Sequence, residues 1–401
     1  MKSSKILGDF NAAALWAGMT AFVWYAFGAL PLHIAVSEQL GLTTAQTSSW
    51  IFIVWFSGAI STIAISFYFR QPIPITWTIP GLIYLGTLAG RFSFPELVGA
   101  NLIAGVLLLI LGLFGVGGRI MRWLPLPIIM GMFGGSILVY VTRAVAATVE
   151  DVVVAGTAGG CYLLGRFLGH PRVPPVGLAV VGGGIAVALV GTASAGAVEW
   201  NLPALVYPGV SFSVSAVIAV SLPMVVLAMG LGNVQGLGFL LAQGYKVPVN
   251  GISTVVGINS IVNALLGGHP ATVARTGVAI LASPDAGPES GRYWATVIAA
   301  SLTIIIALAA TPVASLLNIL PKTYVFALAG LAIISSLQDS LEKSFSGELR
   351  FGALIAFVVA ATPFAFVGIT SAFWAIVAGM LVSLLVERKQ LLDFWARDLT
   401  T

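Results

Sequence analysis

The feature that most constrains this fold is a succession of apolar runs, most of them long enough to cross a membrane as a helix. About 30 Å of hydrocarbon requires roughly 20 apolar residues of helix. Only 8% of the 401 residues are charged, whereas soluble domains carry about 25%. Such a chain has too few polar groups to cover a surface in water. The pattern therefore predicts an all-α polytopic membrane protein.

The apolar runs fall into two series of seven, about 14 transmembrane segments in all. They cover residues 12–36, 45–69, 75–90, 95–117, 124–142, 151–168 and 175–192, then 212–235, 250–266, 271–283, 292–317, 322–337, 350–366 and 369–386. An odd number of spans per half inverts the second half relative to the first. We therefore expect a first inverted repeat over residues 1–192, an outer connection over 193–211, a second inverted repeat over 212–387 and a cytoplasmic surface tail over 388–401.

The positions of the basic residues predict the orientation. With the N-terminus inside, 14 of the 18 Lys and Arg residues fall in cytoplasmic connections, Lys2, Lys5, Arg119 and Arg122 among them, and three fall outside. This bias follows the positive-inside rule. Both termini are then cytoplasmic, and the basic inner loops, with no signal peptide, suggest a bacterial inner (plasma) membrane. The basic residues form no patch that would bind nucleic acid.

Two of the runs are interrupted by proline and glycine at matching positions. The shared pattern is Pro, one residue, Thr, four residues, Gly, and the second copy lies 196 positions after the first: Pro74, Thr76 and Gly81 match Pro270, Thr272 and Gly277. Paired interruptions of this kind point to a transporter's midplane site. We expect discontinuous third and tenth spans, each a short extended stretch plus a half-helix whose N-terminal amides favour an anion.

Candidate substrate-binding residues follow from these interruptions. They are Thr76, Trp77 and Thr78 in the third span, Ala271, Thr272, Arg275 and Thr276 in the tenth, Tyr25 in the first, and Asn233 and Gln235 in the eighth. Arg275 is the one basic residue that the topology leaves inside the membrane, where its guanidinium either pairs with a substrate carboxylate or acts as a structural tie. Trp77 either stacks on an aromatic ligand or packs structurally. The amides of Asn233 and Gln235 either face the ligand or bond between helices.

Three histidines complete the candidates. His269 lies at the second interruption, where it is either the proton-coupling residue or a neutral cap of the irregular backbone. We expect His33 and His170 at the surface. No carboxylate falls in the middle of a predicted span, and no cluster of Cys and His has metal-ligand spacing. We therefore expect no metal, no cofactor and no enzyme active site.

The two interruptions carry a family resemblance. The run from Arg70 to Gly81 resembles the third-span signature of the benzoate/proton symporter family, and the run from Gly268 to Gly277 is similar to its tenth-span signature. This resemblance implies the seven-plus-seven fold of nucleobase permeases and sulfate-type anion carriers. It implies a core domain of spans 1–4 and 8–11, a gate domain of spans 5–7 and 12–14, and often a homodimer.

The chain also departs from its fold relatives. Nucleobase permeases place acidic residues in the eighth and tenth spans, where an alignment by eye puts Met229 and Thr276. Arg275 is more like the basic residue that sulfate-type carriers present to an anion. These departures argue against a uracil-like substrate.

The sequence therefore predicts a secondary active transporter that imports benzoate or a related small aromatic carboxylate by proton symport with alternating access. Its expected partners are a small organic anion, protons and the lipid bilayer. An inorganic-anion or other small-carboxylate carrier on the same fold is the alternative. A channel-like anion conductor and a membrane-embedded enzyme are rivals from other classes.

Overall fold

The computed structural model describes residues 8–117, 123–170 and 172–398, with side chains through residue 396. Lys2, Lys5, Arg119, Arg122 and the last residues of the tail, 399–401, lie outside this part of the chain. The helices are α1 (Ala12–Leu40), α2 (Thr44–Phe69), α3 (Ile79–Thr87), α4 (Phe94–Leu113), α5 (Leu126–Glu150), α6 (Val154–Leu168), α7 (Pro175–Val190), α8 (Val214–Ala242), α9 (Val249–Leu265), α10 (Arg275–Leu281), α11 (Arg292–Leu308), α12 (Ala310–Ser315), α13 (Lys322–Phe345), α14 (Arg350–Ala361), α15 (Ser371–Val386) and α16 (Arg388–Asp398). The strands are β1 (Ile75–Trp77), β2 (Ala271–Val273), β3 (Ala365–Phe366) and β4 (Ile369–Thr370).

The helices confirm a polytopic membrane protein. Within the described residues, seven are long and apolar enough to span a bilayer: α1, α2, α4, α5, α8, α13 and the segment Glu289–Leu308 that contains α11. Helices α7, α9 and α14 are apolar but shorter. Within the described residues the tail forms α16, at 104° to α15; its place on the cytoplasmic surface stays a prediction. The full count of 14 spans stays a prediction.

The entry into β1 follows from local chain chemistry. Helix α2 begins at a capping box between Thr43 and Gln46 and ends at Arg70, which adopts a left-handed conformation with φ 52°. Pro72 and Pro74 follow, and proline can neither continue a helix nor let its preceding residue do so easily. The chain is therefore extended by the time it reaches Ile75.

Strands β1 and β2 cross in the interior as an antiparallel pair. Thr76 lies opposite Thr272, Ile75 opposite Val273 and Trp77 opposite Ala271. The two central threonines are the pair that the 196-residue offset matches. The same offset relates Ile79 to Arg275, the first residues of α3 and α10. Each interrupted segment thus supplies hydrogen bonds that the other lacks, as non-helical backbone inside a membrane protein requires.

Neighbouring side chains satisfy more of this backbone. The Thr62 hydroxyl donates to the Ile75 carbonyl at 2.7 Å and accepts from the Ile75 amide at 2.8 Å. On the other strand, the Ser260 hydroxyl accepts from the amide of Ala271 at 2.9 Å. Both hydroxyls come from helices, α2 and α9, that pack against the strands. The crossing is therefore held by its surroundings on both sides.

The helices pack as two groups. In the first, α4 lies along α9, and α11 lies along α1 and α2. In the second, α13 and α14 lie along α5, α6 along α7, and α14 along α15. Glycines permit the close approach, since a Cβ added at Gly257 would overlap the backbone of Leu109. The groups meet where α1 contacts α7 and α13, and where α3 contacts α5.

A candidate anion site at the crossing

A cavity of about 280 Å³ lies where the two helix groups meet. Its walls come from α1, α5, α6, α7, α8, α13 and both interrupted segments. The volume is near the lower end of the range for small-molecule sites, about 300 Å³. Most of the wall is apolar and aromatic. The side chains that bring polar atoms are Trp24, Tyr25, Thr76, Trp77, Thr78, Tyr162, Arg166, Thr272, Arg275, Thr276, Ser335, Ser336 and Asp339.

The first interrupted segment brings all three of its predicted residues to the cavity. Thr76 is half-buried, whereas Trp77 and Thr78 are buried. The Trp77 ring packs against that of Trp55, with centroids 4.3 Å apart and planes at 32°. The Thr78 hydroxyl caps α3 by accepting from the Gly81 amide at 3.2 Å.

The start of α3 is a weaker anion site than the sequence suggested. Pro80, at the second helical position, has no amide hydrogen, and the side chain of Thr78 already occupies the amide of Gly81. Few of the first-turn amides are therefore free to bind a ligand.

The second interrupted segment contributes Thr272, Arg275 and Thr276 to the cavity wall. Ala271, also predicted as a site residue, does not line the cavity. It is buried within β2 against α9, and its amide is bonded to Ser260.

Asn233 and Gln235 lie behind the cavity wall. The Asn233 side-chain oxygen accepts from the Val273 amide at 2.9 Å and from the Thr272 hydroxyl at 3.2 Å. Asn233 therefore binds strand β2. The Gln235 side-chain oxygen accepts from Arg275 Nη1 at 2.9 Å, which orients the guanidinium. Neither amide lines the cavity.

Arg275 is paired with a carboxylate, which the sequence analysis did not foresee. Its Nη1 lies 2.8 Å from Asp339 Oδ2, and Lys343 Nζ lies 2.9 Å from Asp339 Oδ1. Arg275 therefore already has an anionic partner in this structure, as the structural-tie alternative requires. Helix α13 continues to Phe345, past the predicted end at residue 337, and so carries Asp339 to the cavity. About a third of each side chain is exposed, which screens the pair partly.

Tyr25 lines the cavity from α1, as predicted. Its hydroxyl is buried without a hydrogen-bond partner among the described residues. The hydroxyl packs against Gly277, where an added Cβ would overlap it. Tyr25 therefore has a free donor and acceptor beside the second interrupted segment.

His269 is buried beside the crossing. Its Nδ1 accepts from Trp50 Nε1 at 3.0 Å, and its backbone carbonyl accepts from Asn263 Nδ2 at 3.0 Å. The side chain does not line the cavity. A proton-coupling role for His269 stays a prediction.

His33 is also buried, so the prediction that it lies at the surface is wrong. Helix α1 continues past the predicted end at residue 36 to Leu40, and the face that carries His33 points into the protein, where the His33 ring centroid lies 5.8 Å from that of His269. His170 is exposed, as expected.

The sequence does hold signals for the two missed residues. No proline or glycine lies between Gly330 and Phe345, which is consistent with a helix that runs past Asp339. No proline or glycine lies between His33 and Gly41 either, although Pro31 precedes His33 within the helix.

Among the described residues, no group of three or more His, Cys, Asp or Glu side chains could hold a metal.

Comparison with known proteins identifies the family. Residues 8–385 match the family described as benzoate membrane transport protein, BenE. The chain belongs to this family. The predicted membership of this family is thereby confirmed.

Curated relatives agree with membership of the BenE family. The chain is 26% identical over 393 residues to the inner membrane protein YdcO of Escherichia coli strain K12, covering 96% of this chain and 97% of that protein. It is 24% identical over 375 residues to the benzoate membrane transport protein of Acinetobacter baylyi, covering 93% and 95%. Members of the BenE family are thus membrane transporters.

The fold is shared with an anion transporter. The transmembrane domain of a cyanobacterial bicarbonate transporter, BicA, superposes with a TM-score of 0.59 at 18% identity, covering 93% of this chain and 96% of that one. At this identity the likeness concerns the fold alone.

Proposed function

We propose that this BenE-family protein is a secondary active transporter that imports benzoate or a closely related aromatic carboxylate. The observation that carries the proposal is the joint presence of a guanidinium, Arg275, and an indole, Trp77, on the wall of one cavity of about 280 Å³. A guanidinium fits a carboxylate, and an indole fits an aromatic ring. The name of the relative from Acinetobacter baylyi supports the same substrate.

The substrate carboxylate would displace Asp339 from Arg275. Both Gln235 and Asp339 use the same nitrogen of Arg275, Nη1, so the other donors of the guanidinium would add to the binding of the incoming anion. The aromatic ring would lie against Trp77, within reach of the unpaired Tyr25 hydroxyl. Thr76 and Thr276 would offer hydroxyls at the cavity wall.

Transport would proceed by movement of a core domain against a gate domain. The two helix groups support this division into spans 1–4 with 8–11 and spans 5–7 with 12–14. The symmetric pairing of Thr76 with Thr272 supports two inverted repeats of seven spans, with the third and tenth spans discontinuous. Cytoplasmic termini, a bacterial inner membrane and a possible homodimer belong to the same proposal.

The pair of Arg275 and Asp339 would tie the two domains together. Arg275 lies on α10, in the proposed core, and Asp339 on α13, in the proposed gate. A substrate carboxylate that takes over Arg275 releases this tie. Binding would then favour movement between the inward and outward states. The coupled proton would be held by a buried histidine at the crossing.

An inorganic-anion or other small-carboxylate carrier is the alternative function. Arg275 would suit bicarbonate or acetate as well, and the fold relative BicA is a bicarbonate transporter. The two functions differ in whether the apolar wall of the cavity contributes to substrate binding: it would contact the ring of an aromatic acid, but not bicarbonate or acetate to the same extent.

Calorimetry on the purified protein tests the substrate class. Benzoate, acetate, sulfate and bicarbonate would each be titrated alone and then against bound benzoate. The proposal predicts that benzoate binds and that other aromatic acids displace it, while sulfate and bicarbonate do not. Saturable binding of sulfate or bicarbonate with no binding of benzoate would favour the alternative.

A further inference from the structure

Two histidines form a buried pair behind the cavity wall. His33, on α1, and His269, just before β2, are both buried, and their ring centroids are 5.8 Å apart. Trp50, Trp55 and Trp77 surround the His33 ring at centroid distances of 5.9, 6.4 and 5.6 Å. Each histidine has one ring nitrogen, Nε2, without a hydrogen-bond partner among the described residues.

The fixed partners of the other ring nitrogens assign both tautomers. His33 Nδ1 lies 3.0 Å from the Ala29 carbonyl, which can only accept, so His33 Nδ1 carries a hydrogen. His269 Nδ1 lies 3.0 Å from Trp50 Nε1, which can only donate, so His269 Nδ1 is bare. In the neutral state, the free Nε2 is therefore an acceptor in His33 and a donor in His269.

This asymmetry means that the two histidines are not equivalent as proton acceptors. A proton can add to His33 Nε2 without breaking any hydrogen bond. A proton can add to His269 only at Nδ1, where it must first displace the Trp50 indole. We propose that His33 Nε2 takes up the coupled proton, and that Trp50 holds His269 as a neutral partner. This inference rests on the proposed symport function.

The surroundings of His33 are consistent with a cation that is present for part of the cycle. The elements packed around it are α1, α2, β1 and the segment before β2, and their titratable group facing it is His269. The buried polar side chains of the described residues include no Asp, Glu, Lys or Arg. Three indole rings contact the imidazole in edge-on or tilted geometry, and no buried carboxylate of the described residues holds the proton permanently.

The pair is linked to the substrate through one shared side chain. Trp77 lines the cavity and also packs against His33. Leu32, which precedes His33, lines the same cavity. A proton from the external water converts the His33 imidazole to an imidazolium and compensates the charge of the entering anion. The same proton leaves to the internal water after the anion does, so no bond other than N–H forms or breaks.

The test is the pH dependence of benzoate affinity in the purified full-length protein, between about pH 6 and pH 8. Benzoate itself stays ionised there, since carboxylic acids titrate near about pH 4. Linkage of one proton to one anion predicts that affinity falls by up to about tenfold per pH unit as pH rises. His33→Gln should bind benzoate with little pH dependence, whereas His269→Gln and the surface control His170→Gln should keep the wild-type slope.

Uptake into proteoliposomes gives a second readout. His33→Gln should still exchange benzoate across the membrane but should no longer accumulate it in response to a proton gradient. A pH slope and gradient-driven accumulation that survive in His33→Gln would overturn the inference. Loss of both in His269→Gln alone would move the proton to His269. If wild-type protein binds no benzoate, the proposed function fails instead.

A measurement on the unmutated protein covers the case in which His33→Gln does not fold. The chain has only three histidines, so ¹⁵N-histidine labelling gives three imidazoles, assigned with His170→Gln and His269→Gln. One buried imidazole should change from neutral to charged when benzoate is added, and that signal should persist in His269→Gln. Two buried imidazoles that stay neutral with benzoate bound would overturn the inference.

Discussion

At the residue scale, the account depends on Arg275, because a guanidinium on a mostly apolar cavity wall is costly unless it has an anionic partner. In this structure the partner is Asp339, on a different helix, and Gln235 orients the same nitrogen. Trp77 adds an aromatic surface to the same wall and lies directly against the buried His33. The guanidinium and the indole that we propose for substrate recognition thus both lie beside the paired strands.

Replacing Arg275 with alanine removes the group that we propose pairs with the substrate carboxylate. Benzoate binding should weaken by about 2 kcal/mol or more, roughly thirtyfold, as expected for one partner of a close charge pair. Calorimetry measures this directly. Arg172→Ala, an exposed arginine away from the cavity wall, should leave the affinity unchanged. Equal affinities for wild type and Arg275→Ala would remove Arg275 from the site.

Replacing Trp77 with alanine removes the ring surface but not the charge. Aromatic contacts of this kind contribute about 0.5–1.5 kcal/mol beyond area burial, so the preference for benzoate over acetate should fall up to roughly tenfold. The measurement is the ratio of the two affinities, which cancels any general loss of folded protein. A ratio that does not change would make Trp77 a purely structural residue.

The sequence predicts a site residue when the signal for it lies within a few positions in the chain, and misses it when its place depends on long-range packing. Thr76, Trp77 and Arg275 could be predicted because proline and glycine mark the interruptions within a few residues of them. Asp339 and His33 were missed, because their places depend on where two long helices end and on which face of each helix turns inward. Asn233 was predicted to lie near the second interrupted segment, and it does, but its side chain binds β2 and does not line the cavity. The sequence could not show this, because only the packing determines which side of α8 faces the strand.

At the element scale, the two interrupted segments and the helices around them form the centre of the fold. The antiparallel pairing of β1 with β2 satisfies backbone that would otherwise be costly inside a membrane. Helix α8 lies against β2, and α13 reaches α10 through one ion pair. Both contacts can be tested by single substitutions.

Asp339→Asn tests the tie between α10 and α13. If Asp339 competes with the substrate for Arg275, the neutral amide should raise benzoate affinity, by up to about fivefold for a partly exposed pair worth up to about 1 kcal/mol. Glu342→Gln, one turn away and exposed, is the matched control and should change little. Weaker binding in Asp339→Asn would mean that Asp339 positions Arg275 for the substrate.

Gly232→Ala tests the contact between α8 and β2. A Cβ at Gly232 would overlap the Thr272 hydroxyl, so the helix and the strand must separate. Overpacking of this kind costs about 1–3 kcal/mol, and thermal unfolding in detergent should occur at a lower temperature. At Gly238, on the same helix, nothing lies within 4 Å of an added Cβ. Gly238→Ala should therefore be neutral or stabilising; equal effects of both changes would contradict the packing argument.

At the scale of the whole molecule, the protein is a BenE-family membrane transporter whose cavity lies where two helix groups meet. The two series of apolar runs predicted a polytopic membrane protein, which the helices confirm. They could not predict which helices pack together, because packing depends on contacts between residues far apart in the chain. The inverted repeat and the division into core and gate remain proposals, supported by the pairing of Thr76 with Thr272.

The most direct test of the account is uptake of labelled benzoate into proteoliposomes, with and without an inward proton gradient. The account predicts that the gradient drives benzoate above its equilibrium level, that other aromatic acids compete, and that excess sulfate, bicarbonate or uracil does not. Absence of uptake, or uptake that sulfate or bicarbonate abolishes, would contradict the account. Flux that never saturates with benzoate would contradict it as well, and would indicate a channel.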